Sequence, residues 1–157
     1  MLIVGCGCRG RALAGALATA GHQVRGTSRQ PATLEALSAV GVEAVSADPD
    51  RLGTLVGHLR GVSVLCWLLG SATGNAEALH GPRLQSLLET LVDTPVRGLV
   101  YEGQGSVSAV TLAAGAERVR EASATFRMPG EVVTVDPADH ERWLAAMVAA
   151  VERVLAA

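Results

Sequence analysis

Apolar positions along this chain fall into short β-rich runs that alternate with longer helical stretches. Leu2-Ile3-Val4 reads as a first strand. Arg11 to Ala20 follows with Ala and Leu at helical spacing and ends at Gly21, where a helix-closing glycine belongs. Gln23 to Thr27 predicts a second strand. Pro31 suits the first turn of a helix reaching about Val40, with Gly41 at its end. Val42 to Val45 predicts a third strand closed by Asp48-Pro49, and a short helix from about Asp50 to Leu59 comes next. Val62 to Leu69 is apolar apart from Ser63 and reads as a central strand covered on both faces. Residues 70–81 predict a loop with some helix around Ala76 to Leu79, before a firm helix from Leu84 to Val92. A fifth strand spans Val96 to Glu102 and runs into the glycine loop Gly103-Gln104-Gly105-Ser106. A helix over Leu112 to Ala124 and a sixth strand over Glu131 to Val135 precede the last helix, Ala138 to Ala156. Its apolar face carries Trp143, Leu144, Met147, Val148, Val151 and Leu155.

Strands alternating with helices through right-handed crossovers predict an α/β fold, a doubly wound parallel six-stranded sheet. No repeat or linker interrupts the pattern, so residues 1–157 form one domain. Composition agrees: 49% of residues are hydrophobic and 18% charged, which excludes disorder. Trp67, Trp143, Tyr101 and Phe126 are the only aromatics, so Val, Leu and Ala must build the core.

Charge narrows the partners. The net charge is −2 with no basic stripe, which speaks against nucleic acid and against an anionic membrane surface. No apolar run is long enough to span a bilayer. No positively charged segment precedes Leu2, so the start does not read as a secretory signal, and a cytoplasmic location is expected. Cys6, Cys8 and Cys66 make an odd number without disulfide spacing, and no His or Cys pair completes a zinc set. They read as small residues in tight places, and no metal is expected. All 13 basic residues are arginine; the chain has no lysine.

The chemistry concentrates at Gly5-Cys6-Gly7-Cys8-Arg9-Gly10, a G-x-G-x-x-G directly after a strand and before a helix. That context turns a weak string into a strong sign of a dinucleotide-binding Rossmann domain. Gly5 permits the sharp turn, Gly7 lets backbone approach a pyrophosphate, and Gly10 lets helix and strand pack closely. N–H groups at the helix start, Cys8 among them, then face phosphate oxygens. Arg9 is expected to add a second charge to the phosphates. The end of the second strand sets the ribose preference. A site for NAD usually carries Asp or Glu there, for the 2′-hydroxyl. Thr27-Ser28-Arg29 stands there instead, with no acidic residue near in that run, and suits a 2′-phosphate: a forked guanidinium plus two hydroxyl donors. NADP is therefore expected ahead of NAD. Asp48 either accepts from the adenine amino group or starts the next helix as its N-cap. Leu68, Leu69, Gly70 and Ser71, ending the fourth strand, are expected to pass close to the adenosine or ribose.

These stretches resemble the atypical short-chain dehydrogenase/reductases, epimerase-like NAD(P)-binding proteins. The resemblance is carried by Val4 to Gly10, by Gly21-His22-Gln23-Val24-Arg25-Gly26-Thr27-Ser28-Arg29, by Asp48 after Gly41-Val42-Glu43, and by Gly98-Leu99-Val100-Tyr101. It is good over about the first 105 residues and thin beyond. It implies an NAD(P)-binding Rossmann fold and, in active members, hydride transfer through a Tyr-x-x-x-Lys pair whose lysine lowers the tyrosine pKa. This chain departs from that pattern. Its single tyrosine, Tyr101, has Gly105 four residues on and sits on a strand, and the length leaves no room for the substrate domain of extended members.

Tyr101, Glu102 and His80, with Ser106 and Ser108 beyond the fifth strand, lie at the edge where ligands bind and are the candidates for acid–base work, though each also fits as an ordinary strand-end group, loop histidine or helix cap. Two readings follow: a small NADP(H)-dependent oxidoreductase whose pocket is completed by loops 70–82 and 103–111 or by a second subunit, and a non-catalytic dinucleotide sensor. The last helix's apolar face fits either a homodimer contact or a cover for the sheet.

Overall fold

The computed structural model describes residues 1–157. Leu2, Ile3 and Val4 of β1 (Leu2–Val4) have no solvent exposure, because β1 has a strand on each edge and helices on both faces. The other strands are β2 (Arg25–Ser28), β3 (Glu43–Ser46), β4 (Val64–Trp67), β5 (Gly98–Glu102) and β6 (Gly130–Val133). All pair in parallel, in the order β3-β2-β1-β4-β5-β6. The doubly wound six-stranded Rossmann sheet expected from the pattern is the one observed.

Period-two alternation sends successive side chains to opposite faces. Leu2, Val4, Leu65, Trp67, Leu99 and Tyr101 enter one core; Ile3, Val64, Cys66 and Val100 enter the other. The first core is covered by α3 (Gly53–Val56), α4 (Ala76–His80), α5 (Pro82–Leu91) and α6 (Ala109–Phe126). The second is covered by α1 (Cys8–Thr19), α2 (Pro31–Ala39) and α7 (His140–Ala156). Trp143, Met147 and Val151 of α7 are fully buried on the sheet, so this face is used as a cover. Each such side chain contributes about 1.5–3 kcal/mol by burial. No helix is long and apolar enough to cross a membrane.

Boundaries depart from expectation where side chains compete with the helix. The helix expected over Asp50 to Leu59 is one turn, Gly53–Val56. Thr54 Oγ1 accepts the Asp48 N–H at 2.8 Å and lies 2.8 Å from the Arg51 carbonyl, holding a turn where helix was expected. Gly53 and Gly57 further weaken the helix. α6 begins three residues early because Ser108 caps it, accepting the Thr111 N–H at 3.2 Å. α7 begins late, where Asp139 accepts the Arg142 N–H at 3.3 Å.

One polar pair sits inside the first core. His80 and Tyr101 are buried, with His80 Nδ1 2.6 Å from the Tyr101 hydroxyl and Nε2 3.0 Å from the Leu69 carbonyl. A carbonyl only accepts, so Nε2 carries the hydrogen and Nδ1 accepts from the tyrosine. The pair ties α4 to β5 and to the end of β4. Burial lowers the His80 pKa and raises that of Tyr101, so both are held neutral.

Two outcomes are expected. Gly98 packs against the Pro129 carbonyl and, 2.6 Å from the position of a Cβ, against Val154 Cγ1 of α7. Gly98→Ala should therefore cost about 1–3 kcal/mol by overpacking, read from urea unfolding. The second concerns pH. The unfolded histidine takes up a proton near its ordinary value of 6.5, which the folded chain refuses. The stability contributed by the neutral ring is therefore complete above that value and lost as pH falls below it, down to the folded pKa. Melting temperature should be flat from about pH 8 to 7 and decline toward about pH 5, and His80→Leu should flatten that decline. Equal slopes in the two proteins would show that His80 does not carry it.

Candidate functional site

Parallel strands deliver all their C-terminal ends to one edge, and the connections reverse direction between β1 and β4. A crevice opens there by geometry alone. The glycine turn stands at its centre. Gly5 has φ +91°, and a Cβ on it would overlap the Leu68 carbonyl oxygen. A Cβ on Gly10 would stand 2.9 Å from the Gly5 carbonyl oxygen, where α1 crosses the strand end. The fold itself demands these two glycines. Gly7 is different: its backbone is extended (φ −73°, ψ −157°) and a Cβ would meet nothing within 4 Å. Nothing in the protein's own packing requires glycine there.

The turn is pinned by Cys6 N–H donating to the Thr27 carbonyl at 3.1 Å and Gly7 N–H to the Gly5 carbonyl at 2.9 Å. α1 starts at Cys8, inside the motif, with no side chain capping it. A helix leaves its first N–H groups without internal partners and its positive end exposed, and here both face the crevice. Cys6 and Cys66 are buried, their thiols pushed up to about 12 by desolvation, which leaves them inert. Cys8 is exposed at the helix start, 3.4 Å from Arg11 Nη2.

The cleft beside the turn measures about 590 Å³. Of the residues expected around a ligand, it brings together Gly5, Gly7, Cys8, Arg9, Gly10, Thr27, Ser28, Arg29, Asp48 and Leu69. Gly70 is not at its surface. Its N–H donates to Glu102 Oε2 at 2.9 Å and its carbonyl accepts from Val107 at 3.0 Å, so it is turned to the loop after β5. Ser71, expected near the adenosine or ribose, also lines the cleft; sequence reasoning missed Gln30 and Thr33 at the start of α2, and Thr73 and Asn75 after β4. Pro31 was the available signal for the first pair, since it marks a second helix start on the same edge.

Electrostatics alter three expectations. Arg29 is mostly exposed and lies 4.0 Å from Asp48 Oδ1, so an acid does stand near it, brought in from β3. Asp48 is not the N-cap of α3, a place taken by Leu52; its Oδ1 accepts the Asp50 N–H at 3.0 Å and closes the preceding turn. Arg9, expected to add charge to the phosphates, is also bound within the protein. Its Nε donates to Glu102 Oε1 at 3.0 Å, its Nη2 to Ser71 Oγ at 3.1 Å, and its guanidinium lies 5.7 Å from the Trp143 ring centroid.

Of the candidate acid–base residues, Tyr101, Glu102 and His80 are likewise engaged inside the protein. Tyr101 and His80 hold each other in the core, and Glu102 is fully buried between Arg9 and Gly70. None of the three lines the cleft. Thr27 is buried on its floor, and Ser28 Oγ accepts the Gln30 N–H at 3.1 Å, which leaves its hydrogen free to donate.

Residues 1–52 match a family model described as NADP oxidoreductase coenzyme F420-dependent. No curated protein matches the chain. Solved structures do. The triphenylmethane reductase of Citrobacter sp. complexed with NADP(H) is 18% identical, with a TM-score of 0.65 over 85% of this chain and 48% of its own. The NADPH-dependent quinone oxidoreductase of Escherichia coli, complexed with NADPH, is 21% identical, with a TM-score of 0.65 over 85% of this chain and 47% of its own. The UDP-glucuronic acid 4-epimerase of Bacillus cereus, in complex with NAD, is 17% identical, with a TM-score of 0.66 over 83% and 54%. The chain thus spans about half the length of these structures. At such identities the likeness is one of fold, and the fold shared is the Rossmann sheet.

Proposed function

We propose that this chain is an NADP(H)-binding Rossmann domain serving an oxidoreductase. The observation that carries the reading is Gly7. It stands in the motif at the uncapped helix start and lines the cleft, with ordinary backbone angles and open space beside it, which supports a ligand's close approach there rather than a need of the chain's own packing. The uncapped start of α1 supplies N–H donors and a positive helix end for a diphosphate at that point. Thr27, Ser28 and Arg29 offer a 2′-phosphate two hydroxyls and a forked cation, which supports NADP ahead of NAD. The family model over residues 1–52 and the NADP(H) named in two of the structural neighbours point the same way. Asp48, close to Arg29, opposes the 2′-phosphate in part and neutralises some of the guanidinium charge.

The bound nicotinamide would supply hydride chemistry; the chain's own residues hold the nucleotide and orient it. With Tyr101, Glu102 and His80 buried, a substrate's proton must come from elsewhere: from the loops after β4 and β5, or from polypeptide beyond this domain. Three unpaired cysteines fit a reducing compartment, and we place the protein in the cytoplasm.

Gly7→Val should weaken NADPH binding at least about tenfold in a fluorescence titration, while costing about 1 kcal/mol of stability as a poorer helix cap. Unchanged NADPH affinity in a folded Gly7→Val protein would overturn the dinucleotide reading. Arg29→Glu should move preference from NADPH toward NADH, and Asp48→Asn should tighten NADPH a few-fold by leaving Arg29 uncontested. If both nucleotides bind the two variants as they bind the parent, the 2′-phosphate assignment is wrong. Steady NADPH consumption with a panel of quinones, flavins and aldehydes tests turnover by the domain alone.

A further inference from the structure

Two chambers open along the cleft edge and share a thin wall. The larger is the 590 Å³ cleft beside the glycine turn. The smaller, about 280 Å³, lies over the ends of β5 and β6, between Gly105, Ser106 and the segment Asp136–Ala138. Only Arg9 and Ser71 line both, and they are bonded to each other, Arg9 Nη2 donating to Ser71 Oγ at 3.1 Å. The wall is braced from behind. Arg9 Nε is fixed on the buried Glu102, and the Ser106 N–H donates to the same Ser71 oxygen at 3.1 Å. Val107 N–H donates to the Gly70 carbonyl at 3.0 Å, and Gly105 packs so tightly on that carbonyl that a Cβ would overlap it. The loop after β5 is folded down onto the end of β4.

A dinucleotide in a doubly wound sheet lies across the crevice, its diphosphate at the glycine turn and its two nucleosides over opposite halves of the sheet. The larger chamber provides for the diphosphate and for one nucleoside, over β2 and β3. No residue of β5, β6 or the loops that follow them lines it. We propose that the Arg9–Ser71 wall ends the site, so that it takes the 2′-phospho-ADP half of NADP(H) and leaves the nicotinamide half outside while that bond holds. Arg9 and Ser71 are then specificity-determining residues: they set how much of the dinucleotide the domain grips. The recognised class is a nucleoside diphosphate bearing a 2′-phosphate, whatever is attached beyond the diphosphate. This inference rests on the NADP(H) reading above.

Calorimetric titration of the protein with NADPH and with 2′-phospho-ADP-ribose, which lacks the nicotinamide, separates the two ideas. The parent protein should bind them within about twofold of each other, with no rise in the emission of the reduced nicotinamide ring. Ser71→Gly removes the wall's acceptor while keeping Arg9 on Glu102. It should favour NADPH over 2′-phospho-ADP-ribose by about threefold or more, with the emission rise appearing. A parent preference for NADPH of about tenfold or more, with enhanced emission, would overturn the proposal and leave the NADP(H) reading intact. Ser71→Gly behaving as the parent would overturn the assignment of the boundary to this pair. Failure of both ligands to bind the parent would overturn the NADP(H) reading and this inference with it.

Discussion

A carboxylate removed from water is tolerated only where its charge and its lone pairs are met by the protein. Glu102 has no exposure, and both its oxygens are met: Oε1 by Arg9 Nε at 3.0 Å and Oε2 by the Gly70 N–H at 2.9 Å. Those donors come from the start of α1 and from the end of β4, while the acid ends β5. Three segments distant in sequence are therefore held at one point on the ligand-binding edge. Losing one partner of a buried pair costs about 3–5 kcal/mol, and Arg9, with 30% of its side chain exposed, places this pair toward the lower end. The sheet order fixes where the edge is; Glu102 fixes how closely its middle strands meet.

That closeness explains the distribution of glycine along the edge. Gly5 passes the Leu68 carbonyl, Gly70 passes the Gln104 carbonyl and Glu102, and Gly105 passes the Gly70 carbonyl. Each is a place where one backbone approaches another too tightly for a methyl group. The chain has sealed the β4–β5 side of the crevice with its own backbone in the way the β1–α1 turn is built to be sealed by a ligand. Gly7, at the helix start with open space beside it and no left-handed backbone to require glycine, marks the open side. A crevice that fold geometry makes symmetrical about its switch point is thus made one-sided by local packing.

How much of this the sequence disclosed follows from the range of the interactions involved. Strand alternation and helix-breaking glycines act over a few residues, and they gave the six strands, the order of elements and the turn at Gly5–Gly10. α3 was overestimated because Thr54 competes for the backbone of Asp48, a side-chain bond across six residues that periodicity does not register. The larger shortfall concerns charge. Arg9 was read with its neighbours in the motif, yet its partner Glu102 is 93 residues away. Arg29 was read against an acid-free run, yet the parallel register of β2 and β3, pairing Ser28 with Ser46, brings Asp48 alongside. Spacing places His80 in the loop after β4 and Tyr101 next to the last residue of β5, both on the ligand edge; that they point into the core at one another depends on how α4 packs, which spacing does not encode.

The bonding of Arg9 bears on how the domain handles a phosphate without surrendering its own architecture. A guanidinium has five N–H donors in a fixed plane. Glu102 takes the one on Nε and Ser71 takes one on Nη2, while Nη1 makes no bond within the protein. Two donors on Nη1 and one on Nη2 remain, on a side chain that lines the cleft. Arg9 need not leave Glu102 to lend charge to a diphosphate at the turn, since its fork can face a buried carboxylate and an incoming anion together. A lysine, with one point charge at the end of a flexible stem, would have to choose between them. The residue read from the motif as a phosphate ligand and the residue found as a wall are therefore compatible roles of one planar cation, and the rigidity of the Glu102 pairing is what allows both.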